Sequence, residues 1–562
     1  MVSYKVSFRW NESGFIESAF PIGTDRWYHI AITRTVGSNN NTSIYRMYID
    51  GIPVASNTGS APSSNTNECI LGAMAQTGNP PNKPVNYFSG WIDEVRIWKQ
   101  TLSVEHIRQM MNQRIDASAA NVMGDVTKMI VRGLDADKNT IDDNPVTWAN
   151  LMGYYRMDPS SISCGYLQPY ALKGAAGKLR NIASEQEDSA PLPYTTSGGI
   201  GDWNDTSGSS PWTYGSTVWD HPNAIGIDGI TDIDWNIVQI SHDVKSIRSQ
   251  HTSTTKNLTL LGLLVDSGEL TITDTGTEDE NNFGQGLTVT HYLKLDGQID
   301  LIGESQLVQK RYTPSQFSES ILDPVSSGYL ERDQQGSVNK YNYNYWSSPV
   351  GAKNNMANNE PITLLNNKMD GTTSIPKLIN WLASGRDASA PNPVSIPEFW
   401  LWAYENYTSN TYGKWAKLYR NSGIKAGLGY TMKGSGSTSY SYQNYTFTGK
   451  PNNNIIKRAI TLYNDALVGN PYPSALNAYE FIKDNIPLLD PDGSASAANS
   501  GTTGSIDGSL YFWIHFDSNN THVLREYQGG YAIYTLSGGV APVEGLKYTT
   551  TDGFEISGGG NS

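Results

Sequence analysis

Adjacent carboxylates at positions 93 and 94 are the first residues in this sequence whose types could carry out acid–base chemistry. A retaining glycosidase needs two carboxyl groups about 5–5.5 Å apart on the same face. Successive side chains of a strand point to opposite faces, so Asp93 and Glu94 would separate. Val95 and Ile97, which follow, are apolar. The pair therefore does not predict glycoside hydrolysis at this strand.

Other catalytic patterns in the sequence are equally incomplete. Asp274-Thr275-Gly276 matches the triplet of an aspartic protease, but that chemistry needs two carboxylates sharing a proton and the triplet occurs once. The sequence contains neither a G-x-S-x-G elbow nor an H-E-x-x-H motif, and its eight histidines are scattered. The sequence therefore predicts a protein that is not an enzyme.

Oxygen donors at alternating positions indicate a candidate metal site. Positions 1, 3, 5 and 9 of an EF-hand-like loop are occupied by Asp135, Asp137, Asn139 and Asp143. Hard oxygen ligands of this kind suit calcium. However, Thr140 stands where the tight turn favours glycine, and Val146 stands where the loop needs glutamate. The residues predict either a calcium loop or a solvated acidic turn.

Aromatic side chains in the first hundred residues are candidates for sugar binding, which uses exposed aromatic faces beside planar polar groups. The candidate ligand-binding residues are Tyr28, Tyr87 and Trp91. Trp98 has the opposite parity to Trp91, so a regular strand would expose at most one of them. Tyr341, Tyr343 and Tyr345 share a strand face further along. Each set predicts either a ligand platform or a packed face, and both remain open.

Three alternating segments and one helix must position the first aromatics. Residues 27–33 and 45–49 alternate in the manner of half-buried strands, and Asp50-Gly51 is typical of a type I′ hairpin turn. Residues 91–98 predict another strand. Ser103 is expected to cap a short helix whose apolar positions are Val104, Ile107, Met110 and Met111.

Together these segments resemble the back half of a laminin-G-like, or concanavalin A-like, jelly roll over residues 1–112. Its front strands before Trp27 are nearly absent, so the jelly roll is expected to be partial. The resemblance implies an extracellular binding module.

Three further regions are predicted. Residues 113–199 form a connector, with a strand at 147–159 that resembles the start of a second jelly roll. Residues 200–335 form a short β-solenoid, because inward-type residues recur at spacings of 12, 17 and 12 in the order Leu258, Leu270, Leu287 and Ile299. Residues 336–562 form a β-rich domain with helical patches at 376–384 and 475–485. The predicted fold class is mainly β and multidomain.

Composition limits the partners. The net charge of −14 argues against nucleic acid as a partner, because binding it needs a basic face. The sequence lacks a run of 18 apolar residues, so it does not predict insertion into a membrane. The two cysteines, Cys69 and Cys164, lack a C-x-x-C spacing and are expected to be buried free thiols.

The order of the modules resembles large Bacteroidota proteins exported by the type IX secretion system, in which a sorting domain normally follows. That resemblance implies a secreted or outer cell-surface location, contact with the secretion machinery in the full-length protein, and adhesion, display or gliding. The expected ligand is a glycan or another extracellular surface. One alternative is an accessory C-terminal region of a secreted polysaccharide hydrolase or protease, and another is a purely structural stalk.

Overall fold

The computed structural model is mainly β, which confirms the predicted fold class. Among the described residues, no helix is both long and apolar enough to cross a membrane. The described residues are 4–11, 13–37, 41–62, 69–75, 84–133, 145–180, 190–205, 207–213, 220–248, 257–274, 283–309, 320–353, 357–390, 392–408, 411–486, 506–516, 519–542, 547–549 and 555–557.

The N-terminal region contains an antiparallel three-stranded sheet followed by a helix. Its strands are β1 (Ser7–Arg9), β2 (Phe15–Glu17), β3 (Ile30–Val36), β4 (Thr42–Ile49), β5 (Ile52–Ser60), β6 (Met74–Ala75), β7 (Pro84–Val85) and β8 (Val95–Trp98), and helix α1 is Val104–Met111. The sheet has the order β3-β4-β5. Asp50 and Gly51 join β4 to β5 with φ of 50° and 77°, the positive values that a type I′ turn needs. As predicted, Ser103 caps α1 by accepting from the backbone N–H of His106.

Two expectations for this region are wrong. The strand predicted over residues 91–98 begins only at Val95, because Glu94 has a φ of 51° and interrupts the extended backbone. The chain before Trp27 also contains more structure than expected, since β1 and β2 pair as an antiparallel hairpin.

The connector consists of short strands, one of which joins the N-terminal region. They are β9 (Ile115–Ser118), β10 (Asn121–Gly124), β11 (Leu151–Tyr155), β12 (Ile162–Ser163), β13 (Tyr166–Leu167), β14 (Gly177–Lys178) and β15 (Tyr194–Thr195). β11 lies within predicted segment 147–159 and pairs antiparallel with β8. Cys69 and Cys164 are free but exposed, so the expectation that they are buried is wrong.

A parallel β-solenoid follows, built from two sheets that the chain visits alternately. Its strands are β16 (Ile237–Ile240), β17 (Val244–Ile247), β18 (Leu258–Val265), β19 (Glu269–Thr273), β20 (Gly286–Leu295), β21 (Gln298–Leu301), β22 (Gln306–Gln309), β23 (Ile321–Leu322) and β24 (Tyr329–Ser337). Leu258 lies opposite Leu287 in one sheet, and Leu270 lies opposite Ile299 in the other. All four side chains are buried, so the spacing of these residues in the sequence corresponds to two stacked coils of the solenoid.

The C-terminal region continues one solenoid sheet with antiparallel strands. Its strands are β25 (Tyr343–Trp346), β26 (Val350–Gly351), β27 (Lys368–Asp370), β28 (Lys377–Leu378), β29 (Asn380–Leu382), β30 (Ser395–Pro397), β31 (Trp402–Ala403), β32 (Tyr407–Thr408), β33 (Ala416–Lys417), β34 (Tyr430–Lys433), β35 (Tyr442–Pro451), β36 (Asn464–Asp465), β37 (Ser509–His515), β38 (Gly529–Thr535), β39 (Gly538–Val540), β40 (Lys547–Thr549) and β41 (Glu555–Ser557). β24 crosses the predicted boundary between residues 335 and 336 and pairs with β35. One hydrophobic cluster therefore runs from Trp203 to Phe447.

Helices are few in the described part of this region. They are α2 (Leu364–Asn367) and α3 (Ala478–Asn485). α3 confirms the helical patch predicted at 475–485, and Asn477 caps it through its side chain. The patch predicted at 376–384 is wrong, because Ile379 and Trp381 are buried on a chain segment that forms β28 and β29. Short 3-10 helices are Trp148–Asn150, Pro159–Ser161, Tyr170–Leu172, Glu398–Trp400, Tyr412–Lys414 and Leu524–Glu526.

Candidate ligand-binding site

A groove of about 670 Å³ lies between the β1–β2 hairpin and the outer strand β5. We call it the hairpin groove. It is lined by Trp10, Asn11, Ser13, Gly14, Phe15, Ile16, Glu17, Val54, Ala55, Ser56, Asn57, Thr58, Gly59 and Ser60. Ile16 and Val54 are buried in the core at the floor of the groove, whereas Phe15 and Glu17 on β2 and residues 56–58 on β5 are exposed.

Trp10 is fixed in the groove by close packing. Its indole stacks on the ring of Tyr45, with 4.1 Å between centroids and 5° between planes. Gly59 lies against the same indole so closely that a Cβ there would come within 2.3 Å of it, and a Cβ at Gly14 would come within 2.2 Å. The absence of side chains at these two positions therefore makes room for Trp10.

Amides and hydroxyls supply the polar side of the groove. Asn11 donates through Nδ2 to the Ser60 hydroxyl at 2.9 Å, and its Oδ1 accepts from the backbone N–H of Ser13 at 3.1 Å. Asn57 is exposed; its Oδ1 accepts from the backbone N–H of Thr58 at 2.9 Å, and its Nδ2 donates a long 3.5 Å bond to the Phe15 carbonyl. Planar amides beside aromatic rings can bind the hydroxyl groups of a ligand while the rings contact its apolar face.

Glu17 is the charged residue in the groove lining, and the cations Lys5 and Arg9 lie beside it. Glu17 contributes a carboxylate, which lies 3.9 Å from the ammonium of Lys5. The guanidinium of Arg9 lies 5.0 Å above the ring of Phe15. Because both charges of the Lys5–Glu17 pair are well exposed, water screens them, and the arrangement suits a neutral polar ligand.

The ligand residues predicted from the sequence lie outside the groove lining and have different roles. Tyr28 is half-buried, its ring lies 4.3 Å from the guanidinium of Arg26, and its hydroxyl accepts from the Gly23 N–H at 3.0 Å. Tyr87 and Trp91 are exposed by 57% and 40%. Phe88 is also exposed, by 58%, and we give the name aromatic patch to Tyr87, Phe88 and Trp91.

Two buried ring nitrogens of the N-terminal region have no hydrogen-bond partner among the described residues. Trp27 packs against Trp91 with ring centroids 6.2 Å apart, and within the described residues its buried Nε1 has no hydrogen-bond partner. The buried Nδ1 of His29 also has none there. Burial and the charge of Arg96 lower the pKa of His29 to about 4, so His29 is neutral at physiological pH.

The carboxylates at positions 93 and 94 are held by structural contacts. Glu94 accepts from Arg96 at 2.5 Å and from the Tyr154 hydroxyl at 2.7 Å, which ties β8 to β11. Asp93 accepts from the backbone N–H of Ala190 at 3.1 Å. Burial and the nearby charge of Glu94 raise the pKa of Asp93 to about 6, although hydrogen bonds from the backbone N–H groups of Ala190 and Glu94 lower it. Glu94 therefore serves as the partner of a buried guanidinium.

The predicted calcium ligands Asp135, Asp137, Asn139 and Asp143 lie outside the described residues. Within the part of the chain that the structure describes, no three or more histidine, cysteine, aspartate and glutamate residues are grouped as a metal site would require. The calcium loop therefore stays a prediction from the sequence.

Comparison with protein families divides the chain into two matched segments. Residues 216–543, more than half of the chain, match the family described as "Domain of unknown function (DUF8693)". The chain belongs to this family. In the family's segment lie the solenoid from β16 onwards and the C-terminal region up to β39.

A second match covers residues 2–108, which are similar to the concanavalin A-like lectin/glucanases superfamily. This match supports the predicted jelly roll, and the whole hairpin groove lies within it. No curated protein matches the chain, and no solved structure matches it either.

Sequence reasoning missed the groove residues. The signal was present, since Phe8 and Trp10 alternate with charged Arg9, and Asn57, Thr58 and Ser60 form a polar end of a strand. It was overlooked because the segment before Trp27 was expected to contain few strands.

Proposed function

We propose that this protein is a non-enzymatic carbohydrate-binding protein of the extracellular surface, and that the hairpin groove binds the glycan. The observation that carries the proposal is the grouping of Trp10 and Phe15 with the amides of Asn11 and Asn57 in one open groove. Lectin sites combine such aromatic faces with orienting polar groups. The similarity of residues 2–108 to a superfamily of lectins and glucanases supports it.

The charge balance of the groove narrows the ligand class to neutral glycans. A polyanionic glycan would meet the Glu17 carboxylate of the lining, while the two nearby cations are already engaged, Lys5 with Glu17 and Arg9 with the ring of Phe15. Hydroxyl-rich neutral chains need only hydrogen bonds and ring contacts, which the groove provides.

The test is a glycan array with the full chain, followed by titration calorimetry of the best neutral glycan. Phe15→Ala and Asn57→Ala remove groups from the groove without removing core side chains, since both residues are exposed. Each is expected to weaken binding roughly 5- to 30-fold, as about 1–2 kcal/mol of contact is lost.

Phe88→Ala is the matched control, because it removes the same side chain from an exposed position outside the groove lining, in the aromatic patch. It should leave the affinity unchanged. If Phe88→Ala abolishes binding while Phe15→Ala does not, the glycan site is the aromatic patch. Uniform, weak signals across the array would remove the carbohydrate-binding function altogether.

We also propose secretion to the cell surface through the type IX system, a proposal that rests on the resemblance of the module order. Exposure of intact cells to an impermeant biotin reagent should label the protein, and loss of the secretion system should abolish the labelling. Labelling only after lysis would contradict this location.

A further inference from the structure

Strands β37–β39, which we call the terminal sheet, and the turn at 519–528 cover the aromatic face of β25. The ring of Tyr343 meets the ring of Tyr527 edge-on at 5.5 Å, and Tyr345 lies 6.4 Å from Trp513. The tyrosine face predicted as either a ligand platform or a packed face is therefore packed, and what holds the terminal sheet in place decides whether it stays covered.

One of the groups that hold it is His522, which bridges two charged side chains of the body. Its Nε2 lies 2.7 Å from Oδ1 of Asp387, and its Nδ1 lies 3.1 Å from Nζ of Lys433. The carboxylate can only accept, so Nε2 carries the proton, and Nδ1 must be unprotonated to accept from the lysine. The ring also stacks on Trp400, with centroids 4.9 Å apart.

A second histidine makes the same kind of bond nearby. The Tyr343 backbone N–H donates to the hydroxyl oxygen of Tyr527 at 2.7 Å, which leaves the hydroxyl hydrogen to donate to Nδ1 of His515 at 2.8 Å. His515 must therefore also be neutral at Nδ1. His522 therefore accepts directly from Lys433 of the body, whereas His515 acts through Tyr527, whose hydroxyl oxygen accepts from the Tyr343 N–H across the interface.

Lys433 lies between these histidines in an aromatic enclosure. Its Nζ is 3.9 Å from the ring centroid of Trp400 and 4.6 Å from that of Tyr343. Burial lowers the pKa of Lys433 to about 7, although Asp387 opposes this shift. Burial and the charge of Lys433 also lower the pKa of both His515 and His522.

We propose that His515 and His522 form an acid-sensitive clasp, in which a proton taken up at either Nδ1 breaks a hydrogen bond, adds positive charge beside Lys433 and releases the terminal sheet. The aromatic face of β25 is then uncovered. In acid the clasp would release this cover and expose the rings of Tyr341, Tyr343 and Tyr345 to solvent.

The surrounding charges favour release. Lys433 on β34 and Lys340 before β25 both oppose a charged His522, whereas Asp387 favours it. Asp387 is already paired with Lys340 at 2.8 Å, so its charge is shared. For His515, burial is the largest effect and lowers its pKa, a hydrogen bond with the backbone of Tyr343 raises the pKa, and the charge of Lys433 lowers it.

The direction of the pH dependence follows from linkage. Both histidines have a lower pKa when the terminal sheet is docked, so the released state binds more protons below about pH 6.5. Docking is therefore intact above that pH and weakens as the pH falls through it. At pH 5.5 each histidine that stays unprotonated in the docked state shifts the equilibrium towards the released state by up to about tenfold. For the pair the shift is roughly 10- to 100-fold.

The experiment is hydrogen–deuterium exchange of the full chain at pH 7.5 and 5.5, corrected for intrinsic exchange rates and read on peptides from residues 509–535. The wild type should show the 10- to 100-fold increase in opening at pH 5.5. His515→Gln with His522→Gln cannot gain these protons and should show less than about a fivefold change, which Lys433 supplies because its pKa of about 7 lies between the two pH values. Equal opening of the wild type at the two pH values, or an unchanged acid response in the double variant, overturns the clasp.

Asn519→Ala is the matched control, because Asn519 donates to Oδ1 of Asn342 across the same interface at 3.0 Å without a titratable group. It should increase opening by the same factor at both pH values. If the double histidine variant is already open at pH 7.5, Lys433→Met provides the decision. Without the facing ammonium, the acid response should fall below tenfold, and a response equal to that of the wild type overturns the proposal.

Discussion

The indole Nε1 of Trp235 donates a hydrogen bond of 3.0 Å to the backbone carbonyl of Asp50. This bond joins the hairpin turn of the N-terminal region to the segment that enters the solenoid. The guanidinium of Arg108 covers the same indole at 3.6 Å from its ring centroid. Trp235 also belongs to the hydrophobic cluster around Tyr45 and Met47, so the N-terminal region and the segment that enters the solenoid share a hydrophobic core.

Gly51→Ala is expected to weaken this junction. Gly51 has a φ of 77°, and a Cβ there would lie 2.7 Å from Nε1 of Trp235. The left-handed backbone alone costs about 1–2 kcal/mol for a residue with a side chain, and overpacking against the indole adds roughly 1–3 kcal/mol. Urea unfolding should show both losses together.

Gly229→Ala provides the comparison, because Gly229 has a φ of 73° but nothing lies within 4 Å of the added methyl group. It should lose only the backbone contribution. Equal losses for Gly51→Ala and Gly229→Ala would mean that the indole moves aside without a penalty.

Gly59→Ala is expected to impair the hairpin groove. The new Cβ would lie 2.3 Å from the indole of Trp10, which is fixed below by Tyr45. Trp10 must then move, so glycan affinity should fall at least about tenfold, with an overpacking loss of roughly 1–3 kcal/mol in stability. Calorimetry and thermal melting measure the two effects.

Gly23→Ala tests whether any added methyl group near the sheet has this effect. Its Cβ would make an ordinary contact of 3.6 Å with the hydroxyl of Tyr28, which lies outside the groove lining. Affinity should be unchanged, and an affinity loss equal to that of Gly59→Ala would argue against Trp10 as a ligand contact.

Lys368→Met is expected to stabilise the protein. Lys368 is fully buried, and its Nζ lies 3.2 Å from the ring centroid of Trp346 and 3.3 Å from the hydroxyl of Tyr430. Burial lowers the pKa of Lys368 well below its usual 10.5. At pH values between the pKa of Lys368 in the folded chain and its pKa in the unfolded chain, Lys368 is therefore protonated only in the unfolded chain.

The contribution of Lys368 to the free energy of unfolding is smallest at low pH, and it rises as the pH approaches about 10.4, the pKa of an unperturbed lysine. The wild type should gain stability between pH 7 and 9.5, and Lys368→Met should lose that gain while having the higher melting temperature at pH 7. Lys377→Met, at an exposed position on the neighbouring strand β28, should follow the wild-type curve. A lower melting temperature for Lys368→Met would show that the amine is held as a stabilising cation.

Calcium binding at residues 135–143 remains testable by melting. If Asp135, Asp137, Asn139 and Asp143 bind the ion, 5 mM calcium at about 100 times the dissociation constant adds roughly 2.7 kcal/mol of stability. Asp135→Asn with Asp137→Asn should abolish the rise in midpoint. An unchanged wild-type midpoint with calcium, or a rise that magnesium reproduces fully, would favour a solvated acidic turn.

Local patterns predicted those elements whose residues carry their own signal. Asp50-Gly51 predicted its hairpin because few other residue pairs tolerate two positive φ values. Ser103 and the apolar positions after it predicted α1, and the recurring leucines predicted the coils of the solenoid. In each case the information lies within one turn, one cap or one repeat, so neighbouring residues suffice to express it.

Elements that depend on distant partners could not be predicted in this way. Residues 376–384 have a helical pattern, yet Trp381 is buried in the shared core and its segment pairs with β30. Tyr28 is predicted from the sequence to bind sugar, but its ring packs against the guanidinium of Arg26 and its hydroxyl accepts from the Gly23 N–H. Tertiary contacts override local preference in both cases, because burying an aromatic ring releases more free energy than a few residues of propensity can.

The sequence by itself determined the mainly β architecture, the hairpin turn and the coil repeat, since each follows from periodicity and backbone chemistry between neighbours. Only the tertiary structure decided which aromatics are free to bind. It brought Trp10 to Asn57 across β1, β2 and β5, and it placed His522 between Asp387 and Lys433. Those groups are far apart in the chain, and only packing brings them within a few ångströms of each other.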